Sequence, residues 1–329
     1  TDCIAEYLVA KAGLPSIDTV KARLGHVSAY LEATNQLDIT CGAVDEDWID
    51  DFRDWAIEIP VVSPSGNVRA RSPGTVEGSV RQLAAAINFS FRRHDTTFPA
   101  AFVPKKPAAV SKTPAYRSDV PELAEMFRYA MKPGRDGQPM NARGPLWRFL
   151  QVSVITWCRP DAAHDFSTDP ARRQWHSDLR VVDLNPKGRV QTRKYRPAVP
   201  VGERAAALFD HASGFYVGVD SVKHAFSTML DELGLPRDGE TGMKLIRRSM
   251  ATIARRRLGE EHFIQVERML GHRKDSTSDL YALFEPGFLG RALAVTNDII
   301  EEIEALAPGA FHRKNTGLRV LQGGKSAAK

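Results

Sequence analysis

The side chains best suited to covalent chemistry in this chain are one tyrosine and a series of cations that precede it. Tyr281 stands nine positions after His272 of Leu270-Gly271-His272, Lys244 and Arg247 share a Lys-x-x-Arg motif, and Arg159 follows a long apolar run. Breaking a phosphodiester while keeping its bond energy requires a nucleophile whose phosphate ester resists water yet stays reversible, and a tyrosine phenolate meets that requirement. Charge gathers on the non-bridging oxygens of an attacked phosphate. A guanidinium donates two bonds there at once and never deprotonates, which selects Arg159 and Arg247. An imidazole ordinarily titrates close to neutrality, so His272 can donate to the same phosphate or move the tyrosine proton, and both roles stay open. The leaving sugar oxygen needs a proton, which a lysine on a hairpin tip or edge can supply; Lys194 ranks first and Lys187, at the preceding turn, second.

Helices and one small sheet must carry these groups. Residues 17–33 place Val20, Leu24, Val27, Tyr30 and Leu31 at helical spacing, and residues 45–59 do the same with Trp48, Phe52, Trp55 and Ala56. Ser72 and Pro73 mark the start of a third helix, with Val76, Val80, Leu83, Ile87 and Phe91 on its apolar face and Arg81, Arg92 and Arg93 elsewhere on it. Residues 104–114, with three prolines around Lys105 and Lys106, resist regular structure and read as a linker. Helices follow over 120–131 and 142–157, the second almost wholly apolar and so central to a core. Between 179 and 201 the period changes. Residues 179–184, 189–194 and 197–201, with a turn at 185–188, read as a small antiparallel sheet. Helices resume over 202–211, 220–233, 243–258 and 261–270, and Gly271 suits a left-handed cap.

Composition bounds the rest. A chain of 329 residues with 43% apolar residues has room for two domains, each able to bury its own core. Three widely spaced cysteines, Cys3, Cys41 and Cys158, suggest neither a disulfide framework nor a zinc site. No apolar run reaches membrane-spanning length and no secretory pattern opens the chain, so a cytoplasmic protein is expected. The net charge of +5 permits a polyanionic partner without requiring one.

The segment Lys244-Leu245-Ile246-Arg247-Arg248-Ser249-Met250-Ala251-Thr252, followed by Leu270-Gly271-His272 and Tyr281 and preceded by Arg159, resembles the tyrosine recombinase (phage integrase) family. The resemblance covers most of the second domain. It implies a mainly α fold with a small antiparallel β-sheet: an N-terminal helical core-DNA-binding (SAM-like) domain over 1–103, the linker over 104–114, a C-terminal tyrosine recombinase catalytic domain over 115–307 and a loose tail over 308–329. Site-specific recombination is the implied activity, integrating or excising a mobile element. Tyr281 would form a 3′-phosphotyrosyl link and leave a free 5′-hydroxyl, with no metal, nucleotide or other cofactor. The implied partner is double-stranded DNA, enclosed by the two domains; the candidate contacts are Arg81, Arg92 and Arg93 in the first domain and Lys105 and Lys106 in the linker. The family works as a tetramer on two DNA sites, and accessory DNA-bending proteins are compatible with it. Its C-terminal helix docks onto a neighbouring protomer, a role open to residues 288–306.

Two positions depart from the family pattern. Lys244 stands where histidine is usual and keeps a cationic donor. Ala162 occupies the place of the glutamate in Arg-x-x-Glu, leaving Asp161 or Asp165 as the available substitute. Each motif alone is ordinary, since Arg-Pro often ends a helix, Leu-Gly-His is a common helix stop and a single tyrosine usually packs. Their joint order carries the reading. Two others compete with it: a DNA-binding protein that kept the fold and lost the chemistry, and a resolvase or topoisomerase relative.

Overall fold

The structure, a computed structural model, describes residues 2–62, 66, 68–107, 113–132, 143–237, 239–272 and 285–312. It divides into two compact units, Thr1–Thr113 and Pro114–Lys329.

The first unit is built on four helices: α1 (Asp2–Ala10), α2 (Ile17–Ala33), α3 (Glu46–Glu58) and α4 (Pro73–Arg92). Capping residues start two of them, and one of these residues, Ser72, is the expected start signal. Asp45 accepts from Trp48 N at 3.0 Å, and Ser72 accepts from Thr75 N at 3.2 Å with Pro73 in the first turn, so donors exposed at each helix start are satisfied. The apolar stripes of α2, α3 and α4 meet in a core of Leu24, Val27, Ile49, Phe52, Val80 and Ile87, to which α1 adds Ile4 and Tyr7. Residues 60–74 contain a short antiparallel pair, β1 (Val61–Val62) and β2 (Val68–Arg69), in a stretch whose sequence signals only turns. Arg53, buried at the centre of this unit, donates to Glu77 at 3.1 and 3.2 Å, to Glu46 at 3.0 Å and to Asp50 at 2.8 Å. Glu77 also accepts from Lys105 N at 2.5 Å, which fastens the start of the expected linker to α4.

The second unit contains α5 (Val120–Met131), α6 (Gly144–Thr156), α7 (Pro160–Asp165), α8 (Glu203–Asp210), α9 (Lys223–Glu232), α10 (Leu245–Leu258), α11 (Phe263–Met269) and α12 (Gly290–Leu306). As its composition implies, α6 is central, with Phe149, Leu150, Val152 and Val154 fully buried. The sheet is antiparallel in the order β3 (Trp175–His176), β4 (Val181–Asp183), β5 (Ala198–Pro200), and Val182 pairs with Trp175 on one side and Val199 on the other.

Three expectations need correction. Residues 189–194 are not a strand, and residues 175–176 supply the third strand instead. Val190 is 81% exposed, so the segment has no apolar face to bury. The Gln191 amide also takes the backbone groups a strand partner would use, donating to Arg196 O at 2.8 Å and accepting from Arg196 N at 3.2 Å. The final helix, α12, is a core helix of its own unit: Ala292, Val295, Ile299, Ile300 and Ile303 are buried there, so that apolar face is already occupied. Its polar side is tied down by bidentate pairs from Arg204 to Glu301 and from Arg257 to Glu302. Pro308–His312, expected in a loose tail, fold onto the core. Glu304 accepts from Gly309 N and Phe311 N, Trp147 Nε1 donates to Ala310 O, and Phe311 packs on Phe127 at 4.9 Å.

Candidate active site

The site begins where α6 ends. Trp157, fully buried, closes the helix in the left-handed region at φ 53°, an uncommon conformation for a non-glycine residue, and its carbonyl accepts from Arg247 Nη1 at 2.8 Å. Arg247 is the third residue of α10, and its other terminal nitrogen donates to Leu270 O, the C-cap of α11, at 2.5 Å. The guanidinium therefore sits at the carbonyl ends of two helices, where the backbone dipoles favour a cation. Burial first, and the nearby Arg159 charge second, push Arg247 down to about 10. It stays charged at neutral pH.

Arg159 precedes Pro160, whose ring sets the first turn of α7 and holds Arg159 extended at φ −72°, ψ 152°. Arg159 Nη1 donates to Tyr195 O at 2.8 Å. Gly271 approaches the same place from the other side: a Cβ there would lie 2.7 Å from Tyr195 O and 2.8 Å from Pro197 Cδ, and the residue has φ +66°. Both the left-handed cap and the close approach require glycine. The bond from His272 N to Glu267 O at 2.8 Å completes the cap and turns the chain out at His272. Although solvent-exposed, the His272 imidazole is held below its ordinary value of 6.5 by partial burial and by the charges of Arg247 and Arg159, against an opposing effect of Glu267.

The structure thus brings Arg159, Arg247 and His272 into one electrostatically coupled cluster. Main-chain carbonyls hold the two guanidiniums, and neither forms an ion pair with a carboxylate among the described residues. Lys244 is exposed at the N-cap of α10, one turn before Arg247, with no side-chain partner among the described residues. Lys194 is exposed on the β4–β5 connection beside Tyr195, whereas Lys187 lies in the preceding turn with its backbone N bonded to Arg172 O at 2.9 Å. Tyr281 lies outside the described residues. Cys158, beside Arg159, is a packing residue, because burial pushes its thiol up to about 11.

A buried arginine escaped the sequence reading. Arg196, 8% exposed, reaches α7 with both terminal nitrogens, one to Asp161 at 3.1 Å and the other to Asp165. Burial opposes the Asp161 charge, but the hydrogen bond and charge of Arg196 prevail and lower its pKa. Asp161 also feels Arg159 and Arg247 electrostatically. The two aspartates near the place of the family's glutamate are therefore used, but on a different arginine. The signal in the sequence was slight: a cation two residues beyond Lys194, in the gap between the expected strands 189–194 and 197–201.

In the first unit, Arg81 and Arg92 lie eleven residues apart on one stripe of α4, and neither side chain has a partner among the described residues. Arg93 pairs with Asp95 at 3.3 Å, and Lys105 Nζ lies 4.0 Å from Asp50, so part of the charge expected to meet a polyanion is already compensated. Lys106 is exposed. Among the described residues, no helix is long and apolar enough to cross a membrane.

The fold is that of the tyrosine recombinases. One solved structure similar to this chain is the XerH site-specific recombinase bound to difH substrate, a pre-cleavage complex, with TM-score 0.52 and 14% identity over 86% of this chain and 80% of that one. Another is the Tn1549 transposon integrase in complex with transposon right end DNA, with TM-score 0.54 and 11% identity over 88% of this chain and 96% of that one. No protein-family model matches the chain, and no curated protein sequence matches it significantly.

Proposed function

We propose that this protein is a site-specific DNA recombinase of the integrase type, which cleaves and rejoins duplex DNA through a covalent link to Tyr281 and integrates or excises a mobile element. The observation that carries this reading is the Arg159–Arg247 pair, two coupled guanidiniums held by carbonyl oxygens with no carboxylate ion pair among the described residues. Such a pair is suited to a phosphate, whose charge would relieve the repulsion between them. Recombinases of the same fold solved on DNA substrates support duplex DNA as the partner.

In the proposed reaction, Tyr281 Oη attacks phosphorus, the bond to O5′ breaks, and Lys194 gives a proton to O5′. Arg159 and Arg247 hold the non-bridging oxygens, with Lys244 as a further cationic donor. His272 either donates to the phosphate or receives the tyrosine proton. A 5′-hydroxyl from a second DNA end attacks the phosphotyrosine and restores the backbone, so the chemistry needs no cofactor. A tetramer on two DNA sites is the assembly proposed for strand exchange, with accessory DNA-bending proteins as further partners.

The test is a nicked suicide duplex carrying a site selected by the protein from a randomised DNA pool, followed by denaturing electrophoresis and peptide mapping. An adduct on Tyr281, absent in Tyr281→Phe with DNA affinity retained, is the expected result. Binding without any adduct would leave a DNA-binding protein that has lost its chemistry.

A further inference from the structure

The connection that carries Lys194 is fastened twice to the element that carries Arg159. In one direction Arg159 Nη1 donates to Tyr195 O at 2.8 Å. In the other, Arg196 bridges Asp161 and Asp165, one turn apart on α7. Between the fastenings, the Gln191 amide pairs with both backbone groups of Arg196, at 2.8 and 3.2 Å, closing residues 191–196 into a small loop with Lys194 exposed on it. The platform is itself anchored. His164 of α7 contacts Pro160 O at 2.7 Å through Nδ1, accepts from Val222 N at 3.2 Å through Nε2, and packs on Phe149 at 5.2 Å. Asp165 also takes Arg172 Nη2 at 2.5 Å.

A surface ion pair would place a loop only weakly, because two long side chains lose entropy to hold one geometry in water. Arg196 differs in being buried and in using its planar fork on two carboxylates at once, which fixes direction as well as distance. Lysine is the opposite case, a flexible stem bearing a point charge. Its reach to a leaving oxygen is set by where its backbone is held, and a displacement of about 1 Å can cost on the order of a hundredfold in rate.

We infer that Arg196, bridged to Asp161 and Asp165, is a positioning residue that sets Lys194 relative to Arg159, so that the proton donor and the phosphate-binding guanidinium keep one fixed spacing. This rests on the assignment of Lys194 as the donor in the recombinase reading. The position usually held by a glutamate is alanine here, and the neighbouring acids serve the lysine-bearing loop.

The experiment compares single-turnover cleavage of two suicide duplexes bearing the selected site: one with the ordinary 5′-oxygen at the scissile phosphate, the other with sulfur in that bridging position. A thiolate leaves without a proton, so the sulfur substrate bypasses the general acid while still requiring the nucleophile and the phosphate-binding arginines. The variant Arg196→Gln/Asp161→Asn removes the bridge and leaves Asp165 paired with Arg172, so no buried charge is stranded. It should cleave the oxygen substrate on the order of tenfold to a hundredfold more slowly and the sulfur substrate at nearly the unaltered rate. If that variant does not fold, Arg196→Lys keeps a cation, loses the two-carboxylate fork, and is read by the same ratio. Equal slowing on both substrates, or none on the oxygen substrate, would overturn the inference while leaving the recombinase reading in place. Lys194→Ala is the reference; if it slows both substrates equally, Lys194 is not the donor and the inference falls with that assignment. No adduct from the unaltered protein on DNA it binds would remove the recombinase reading itself, and the inference with it.

Discussion

The carbonyl oxygen of Tyr195 accepts the 2.8 Å hydrogen bond from Arg159, and a Cβ at Gly271 would stand 2.7 Å from that same oxygen. One backbone atom on the β4–β5 connection is thus the meeting point of the element that carries Arg159 and the turn that leads into His272. Alanine at 271 would suffer a left-handed backbone, at about 1–2 kcal/mol, and overlap with the Tyr195 carbonyl and the Pro197 ring, neither of which can rotate away, at about 1–3 kcal/mol. Gly271→Ala is therefore expected to destabilise the second unit by roughly 2–5 kcal/mol and to lower DNA cleavage in the surviving folded fraction. Urea denaturation alongside the suicide-substrate assay checks it; unchanged stability would mean that the connection yields easily.

Arg247→Ala should reduce cleavage by roughly a hundredfold or more, as expected when one donor to a developing charge is lost. It also leaves the carbonyls of Trp157 and Leu270 without this donor, so some loss of stability accompanies the kinetic effect. Arg247→Lys retains the charge but not the fork, and should recover less of the rate than of the DNA affinity. A wild-type single-turnover rate in either variant would remove Arg247 from the reaction.

His272 should titrate below 6.5 in the free protein, because burial, Arg247 and Arg159 all disfavour its cation. A bound phosphate neutralises those arginines and should raise the value, so the imidazole should titrate at higher pH with cognate DNA than without it. The linkage sign follows from the depressed folded value. The contribution of His272 to stability is fully present above the unfolded value and is lost as pH falls from there through the lower folded value, since over that window the unfolded chain binds the proton more readily. NMR titration with and without DNA measures both effects, and a DNA-independent value would place His272 away from the phosphate.

Glu77→Ala should destabilise the first unit by about 3 kcal/mol or more, because it leaves the buried Arg53 without its most buried partner. The same change frees Lys105 N, so early proteolysis close to residue 105 should accompany the loss. Denaturation of the full chain, followed by tryptophan fluorescence, reports this unit through Trp48 and Trp55 and the second through Trp147, Trp157 and Trp175. A transition shift below 1 kcal/mol would show that Glu46 and Asp50 suffice for Arg53.

Much of the helical layout was legible in the sequence because helices depend on neighbours three and four residues away. The stripes of α2 to α4, the Ser72–Pro73 start of α4 and the buried character of α6 are all local facts, and they agree with the structure. The left-handed cap at Gly271 was legible for the same reason. Types and order likewise singled out Arg159, Arg247 and His272, three residues the structure brings close enough to couple electrostatically. Strand pairing is non-local, and there the sequence failed. Residues 189–194 alternate acceptably, yet Gln191 takes the backbone bonds and residues 175–176 take the sheet edge. The helix at 290–306 carries an apolar stripe that could face any partner, and only tertiary packing decided that it serves its own core. The same holds for Arg196. By itself the sequence determined which chemical groups are present and which local segments are helical. Tertiary structure decided which carbonyls hold the arginines and which aspartates are spent on which cation, because those contacts join positions 23 to 90 residues apart in the chain.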